Sequence, residues 1–232
     1  MFGSELEPKA YIVDANFLNG DTSVCAVRDN PAEAIVARCE EFGFAIVRNV
    51  LSKPDFDMVC QDSQAILADH DQQGWTQRIE SLSVTKVDKT MERRTELPAR
   101  SQSLIGEFVT HLSKVTRMGD RIYTQDEQID TAYVVRQLHR SQIGKHRDPV
   151  SGVMCDLSLQ GRAMMGFWQG RRKLASTVLE PNDMVVMPAR TAAQPKRKQL
   201  VKHNIINVTA KDAHDGERLT LIYNYGRTRM PS

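Results

Sequence analysis

The sequence predicts an α+β fold, with helices in the first half and an antiparallel jelly roll or sandwich in the second. Three observations carry that expectation. Two amphipathic helical patterns flank a short apolar run between residues 31 and 67. After about residue 129, helical periodicity gives way to seven short β-rich runs separated by turn residues. The chain has 232 residues, 41% of them hydrophobic, which is enough to bury one substantial core. The expected plan is a single domain, with the N-terminal helices packed on one outer face of the sheet.

Taken in order, residues 31–42 read as the first helix. Pro31 suits the first helical position after Asn30, and Gly43 is a natural stop. Phe44 to Leu51 is a strand-like run. Ser52, Pro54 and Asp55 then open a second helix, with Ser52 as its cap and Asp55 at the positive end of its dipole. Phe56, Val59, Cys60, Ser63, Ile66 and Leu67 line one face of that helix. From Asp71 to about Ser101 no periodicity survives, and a lid-like loop is expected there. Leu104, Phe108, Leu112 and Val115 mark a third amphipathic helix, so residues 1–128 form a helical N-terminal region.

The β-rich core is expected over 129–232. Its runs are 131–138, 153–159, 163–169, 176–179, 184–187, 203–208 and 218–225. Turn signals fall at Ile143-Gly144, Gly161, Gly170, Pro181-Asn182-Asp183 and Asp215-Gly216.

Composition excludes several classes. No run approaches eighteen apolar residues, so no membrane-spanning helix is expected. The N-terminus, MFGSELEPKAYIVD, has acids where a secretory leader needs a basic start and an apolar stretch. Cys25, Cys39, Cys60 and Cys155 form no C-x-x-C pair, so a reduced, cytoplasmic chain is the simplest expectation. The formal charge of +2 hides an asymmetry. Residues 1–135 hold 14 basic against 22 acidic side chains, and residues 136–232 hold 17 against 7. Either the halves neutralise each other or the second half meets an anion, and charge alone does not choose between them.

The chemistry lies in the second half. In His146-Arg147-Asp148 the imidazole and the carboxylate are two residues apart, so on extended chain they point to one side, as a metal ion requires. H-x-[DE] by itself is weak, since this composition should produce it about 0.7 times by chance. Its weight comes from three residues further along the chain. His203 lies 55 residues after Asp148 and opens the apolar run HNIINV. Arg218 comes 15 residues later, with Thr220 on the same face of the run RLTLIYNY. A guanidinium beside a hydroxyl is a good clamp for a carboxylate.

In this order and spacing, His146, Asp148, His203, Arg218 and Thr220 resemble the iron(II)- and 2-oxoglutarate-dependent dioxygenases. The lead-in EFGFAIVRNVLS (41–52) is similar to that of the phytanoyl-CoA and prolyl hydroxylase branches. The resemblance covers about 131–227 well, the lead-in loosely, and 71–128 not at all. It implies a double-stranded β-helix, cupin-like core. It implies that His146, Asp148 and His203 hold Fe(2+) as a facial triad with open positions for 2-oxoglutarate and O2. Arg218 would hold the distal carboxylate of 2-oxoglutarate, with Thr220 adding a hydrogen bond. The cosubstrate would leave as succinate and carbon dioxide while the substrate is oxidised, with protein residues positioning the target bond. Halogenating relatives lack the carboxylate, so Asp148 favours hydroxylation, or an outcome such as demethylation, desaturation or ring formation.

Other residues have competing readings. His203 alone would more often be a buried structural histidine, and His214, in the polar stretch KDAHDGE, is its rival as distal ligand. His139 faces either core or cavity, while His70 and His111 read as structural or surface groups. Gln137 and Arg136 alternate on the run before the triad motif, and Gln137 is the favoured contact to 2-oxoglutarate. Arg218 has a competing reading as a strand-edge charge, but its apolar strand argues for a buried anionic partner. Phe167 and Trp168 either wall a pocket or fill the core, and Tyr223 and Asn224 stay undecided. Arg171-Arg172-Lys173 and Lys196-Arg197-Lys198 read as a solvated face, with phosphate contact as the alternative.

The expected partner is a small-molecule substrate, anionic if the basic half faces it. Oxidative demethylation of nucleic acid, as in the AlkB-like branch, is the second reading, weakened because Asn224 stands where that branch has a second arginine. A non-catalytic jelly-roll binding module is the third. Neither oligomeric state nor prime substrate is legible in the sequence.

Overall fold

A computed structural model of the chain describes residues 6–7, 11–14, 31–73, 76–81, 84–90, 117–118, 121–122, 129–147, 153–188, 201–209 and 217–225. Helix α1 (Pro31–Phe42) begins on the expected proline. It stops at Gly43, which takes φ 83° and donates its N–H to the Cys39 carbonyl at 2.9 Å. Helix α2 (Lys53–Gln73) is capped by Ser52, whose Oγ accepts the Asp55 N–H at 3.3 Å. Strand β1 (Ile12–Asp14) runs parallel to β2 (Ala45–Arg48), the strand between the two helices.

The expected loop over 71–101 is corrected by three elements. Helix α2 runs on to Gln73, and β3 (Thr76–Ser81) and β4 (Val84–Thr90) pair as an antiparallel hairpin. These strands carry too few apolar residues to show a period-two pattern. Backbone pairing to neighbouring strands forms them instead, as tertiary context often does for β structure. Strands β5 (Arg117–Met118) and β6 (Arg121–Ile122) make a separate two-stranded ribbon. The helix expected around 104–115 lies outside the described residues.

The core then continues through β7 (Ile129–Leu138), β8 (Ile143–His146), β9 (Val153–Gln160), β10 (Arg162–Gln169), β11 (Arg172–Leu179), β12 (Met184–Pro188), β13 (Val201–Thr209) and β14 (Glu217–Tyr225). One four-stranded layer has the order β12-β9-β14-β7, and the other has the order β8-β13-β10-β11. Both are antiparallel throughout. Each layer interleaves strands from both ends of the core sequence, which is the wound pattern of a jelly roll. Strand β4 pairs with both β7 and β8 and joins the layers along one side. Strands β2 and β1 extend the first layer beyond β12.

Two apolar clusters arise from strand alternation. Between the layers, Met154, Val185 and Met187 meet Ala163, Met165, Phe167, Val201 and Ile205. Phe44 inserts there and stacks on Phe167, with centroids 3.9 Å apart and planes 3° from parallel. On the outer face of the first layer, Val134, Cys155, Leu157, Val186 and Leu221 are covered by Ile35, Val36 and Cys39 of α1 and by Val59 and Leu67 of α2. The helices therefore pack on one outer face, as expected.

The turn signals have mixed outcomes. Gly161, Gly170 and Asn182 take positive φ in turns, in line with the sequence. Ile143-Gly144 does not turn. It lies in β8, and the turn falls at His139-Arg140, with Arg140 at φ 64°. Pairing with β13 and β4 draws Ile143 into the sheet and overrides the local glycine signal. Asp215-Gly216 lies outside the described residues.

Candidate active site

The site is built inside the jelly roll from β7, β8, β9, β13 and β14. Strands β8 and β13 are antiparallel neighbours, and His146 stands directly opposite His203 in their register. The two imidazole centroids are 4.3 Å apart, with planes inclined at 60°. His203 faces inward with its cross-strand neighbour Phe167, and both are buried. His146 is half-buried, and its Nδ1 lies 2.9 Å from its own strand's Gly144 carbonyl. A carbonyl can only accept, so Nδ1 carries the proton and donates. This contact turns the Nε2 edge of the ring away from its own strand's carbonyl, as in histidines oriented by a backbone acceptor.

Asp148 lies outside the described residues. Among the described residues no group of three His, Cys, Asp or Glu side chains comes together. Two imidazoles meeting across one strand pair fit two positions of the triad implied by the resemblance.

The second half of the site is a buried polar network. Gln137, Arg218, Thr220, Ser158 and Asp156 all point to the same face, because Arg218 stands opposite Gln137, Thr220 opposite Ser158 and Ile222 opposite Asp156. Arg218 is 0% exposed. Its Nη1 donates to Gln137 Oε1 at 2.6 Å, and its Nη2 donates to Ser158 Oγ at 3.0 Å. Asp156 Oδ1 lies 3.8 Å from Nη2, an ion-pair distance beyond hydrogen bonding. Thr220 reaches the Asp156 carboxylate with a short hydrogen bond, and its Oγ1 is 3.0 Å from the Leu157 carbonyl. Arg218 Nε makes no hydrogen bond among the described residues. Burial pulls the guanidinium below its ordinary value and Asp156 pushes it back up, but an arginine stays charged through such shifts.

The imidazole pair and the guanidinium share one interior. Val135, on the Gln137 face of β7, packs against Ile143 of β8 and Ile222 of β14. This apolar contact joins the strand of His146 to the strand of Arg218. An anion entering here would meet a desolvated guanidinium with a donor to spare at Nε.

The structure thus brings His146 with His203, and Gln137 with Arg218 and Thr220. Arg136 points the other way, toward Glu217 at 3.7 Å. His139 is in the turn after β7, not on the strand leading to His146. Phe167 is core. Trp168 is on the outer face, where its Nε1 donates to Asn204 Oδ1 at 2.7 Å and Lys145 Nζ sits 3.2 Å over its ring. Arg171 and Arg172 are exposed at the turn between β10 and β11. His111, His214 and Lys196 to Lys198 lie outside the described residues. Two members of the network, Asp156 and Ser158, are not among the residues that the sequence singles out. Their signal is a polar pair at i and i+2 inside the otherwise apolar run VMCDLSL.

No protein-family model and no curated protein sequence matches the chain. Solved structures do share its fold. A prolyl-4-hydroxylase from Pseudomonas putida superposes with TM-score 0.57 at 12% identity, covering 85% of this chain and 100% of that one. A 2OG-Fe(II) oxygenase family oxidoreductase from Burkholderia pseudomallei gives 0.52 at 17%, covering 88% and 96%. The non-heme, alpha-ketoglutarate-dependent epimerase SnoN from nogalamycin biosynthesis gives 0.58 at 12%, covering 84% and 82%. The chain has the jelly-roll fold of the 2OG-Fe(II) oxygenases.

Proposed function

We propose that a jelly roll carrying this site is an iron(II)- and 2-oxoglutarate-dependent dioxygenase that oxidises, most simply by hydroxylation, a small-molecule substrate. The single observation behind the reading is the cross-strand pairing of His146 with His203 in an interior that also buries Arg218. His146, His203 and Asp148 would hold the iron. Iron(II) with 2-oxoglutarate and oxygen supplies the oxidant, as the 2-oxo acid becomes succinate and carbon dioxide and the substrate is oxidised.

The chain's own residues bind and orient. Arg218 takes the distal carboxylate of 2-oxoglutarate, and Gln137 and Ser158 hold the planar guanidinium in a fixed orientation. Gly144 orients the His146 ring. Val135, Ile143, Ile222 and Phe167 keep water from the reacting centre. Nucleic acid is the weaker substrate reading, because Asn224 stands where the nucleic-acid-directed branch has a second arginine.

The test is succinate release with iron(II), 2-oxoglutarate and oxygen across a panel of metabolites and methylated oligonucleotides. Substrate-stimulated succinate from a metabolite supports the reading. Stimulation by oligonucleotides alone would replace the substrate class. Absence of iron-dependent succinate, even uncoupled, would reject the activity.

A further inference from the structure

Arg218 is not waiting bare for a ligand. Asp156 is 4% exposed, stands one strand away on the same inner face, and places Oδ1 3.8 Å from Nη2. Thr220 meanwhile spends its hydroxyl on Asp156 or on the Leu157 carbonyl. A hydroxyl has one proton to give, so in this arrangement Thr220 has none for an incoming carboxylate. The pocket already contains its own acid, and that acid engages both groups that a distal carboxylate would use.

We propose that Asp156 is the resident counter-ion of Arg218 and a specificity-determining residue of the cosubstrate pocket, displaced or repelled when the distal carboxylate of a 2-oxo diacid arrives. The inference rests on the reading of Arg218 as the carboxylate clamp.

With Asp156 in place the pocket is neutral, so a buried guanidinium is tolerated without a ligand and does not hold stray anions. A diacid must then bind against a second negative charge within several ångströms. At an effective dielectric of about 20, such repulsion is worth more than tenfold in affinity. A 2-oxo monoacid, which lacks the distal carboxylate, does not feel it. Asp156 therefore weakens binding of the diacid selectively.

The experiment is anaerobic calorimetric titration of the iron(II)-loaded chain with 2-oxoglutarate and with pyruvate. Asp156→Asn keeps the shape and removes the charge. It should tighten 2-oxoglutarate at least tenfold and leave pyruvate within about twofold of the parent. Asp156→Ser, smaller and also neutral, should change affinity in the same direction, and serves if the asparagine variant fails to fold. Asp156→Glu keeps the charge and should give no tightening. Weaker or unchanged 2-oxoglutarate binding in the neutral variants, or equal tightening of pyruvate, overturns the proposal.

Arg218→Met separates the two readings. If it leaves 2-oxoglutarate affinity unchanged, the clamp itself is elsewhere and both fall. If it abolishes that affinity while the neutral Asp156 variants show no gain, only the counter-ion proposal falls.

Discussion

The Arg218 guanidinium donates to Gln137 Oε1 at 2.6 Å from a position with no solvent exposure at all. A buried charge of this kind persists only where groups around it satisfy its donors and supply an opposite charge. Gln137 and Ser158 each accept from one terminal nitrogen, and Asp156 supplies the opposite charge. The same economy makes the site vulnerable to single changes.

Removing the guanidinium should therefore cost stability as well as affinity. Arg218→Met leaves Asp156 buried without its counter-charge, and breaking a buried pair in this way costs about 3–5 kcal/mol. The midpoint of urea unfolding checks it. A midpoint equal to that of the parent would mean that the ion pair at 3.8 Å contributes nothing.

The stacked pair between the layers makes a second prediction. Phe44 and Phe167 are both fully buried, with ring planes 3° apart. Phe167→Ala should cost about 3–5 kcal/mol by lost transfer and cavity formation. It also removes the side chain that stands opposite His203 in the register, so iron affinity should fall with stability. Chemical denaturation and metal titration on the same sample separate the two effects.

A third prediction concerns thiol chemistry. Burial, with Asp57 adding to it, pushes the half-buried Cys60 thiol up to about 11. The thiolate is the nucleophile, so at neutral pH almost none is present. Mass spectrometry after brief treatment with iodoacetamide at pH 7.5 should find Cys60 unmodified in the folded chain. Labelling should appear only as the pH is raised toward 11 or the chain is unfolded. Rapid labelling at neutral pH would mean that the α2 face carrying Cys60 opens readily.

The fold is legible in the sequence where local pattern and tertiary structure agree. The apolar runs that form β7, β9, β10, β12, β13 and β14 stand out along the chain, and turn residues bound most of them. Strands β3 and β4 are not legible, because TQRIES and VTKVDKT have no period to read; pairing with β7 and β8 makes β4, and pairing with β4 makes β3. Ile143-Gly144 misleads, since a glycine that resembles a turn sits in a paired strand. At the site, His146, Asp148, His203, Arg218 and Thr220 stand out by order and spacing along the chain, and Gln137 by its place on the run before them. Asp156 and Ser158 do not, because their role exists only across β9 and β14, where the register puts them beside Arg218 and Thr220. The polar pair inside VMCDLSL is the one local sign of them.

The assignment of the metal centre stands or falls on iron(II) binding, measured by equilibrium dialysis under anaerobic conditions for the parent chain, His203→Ala and His146→Ala. The expected result is one iron per parent chain and loss of that iron in each variant, with the fold retained by circular dichroism. Unchanged stoichiometry and affinity in both variants would contradict the assignment, since the metal would then be held by other residues or not by this site.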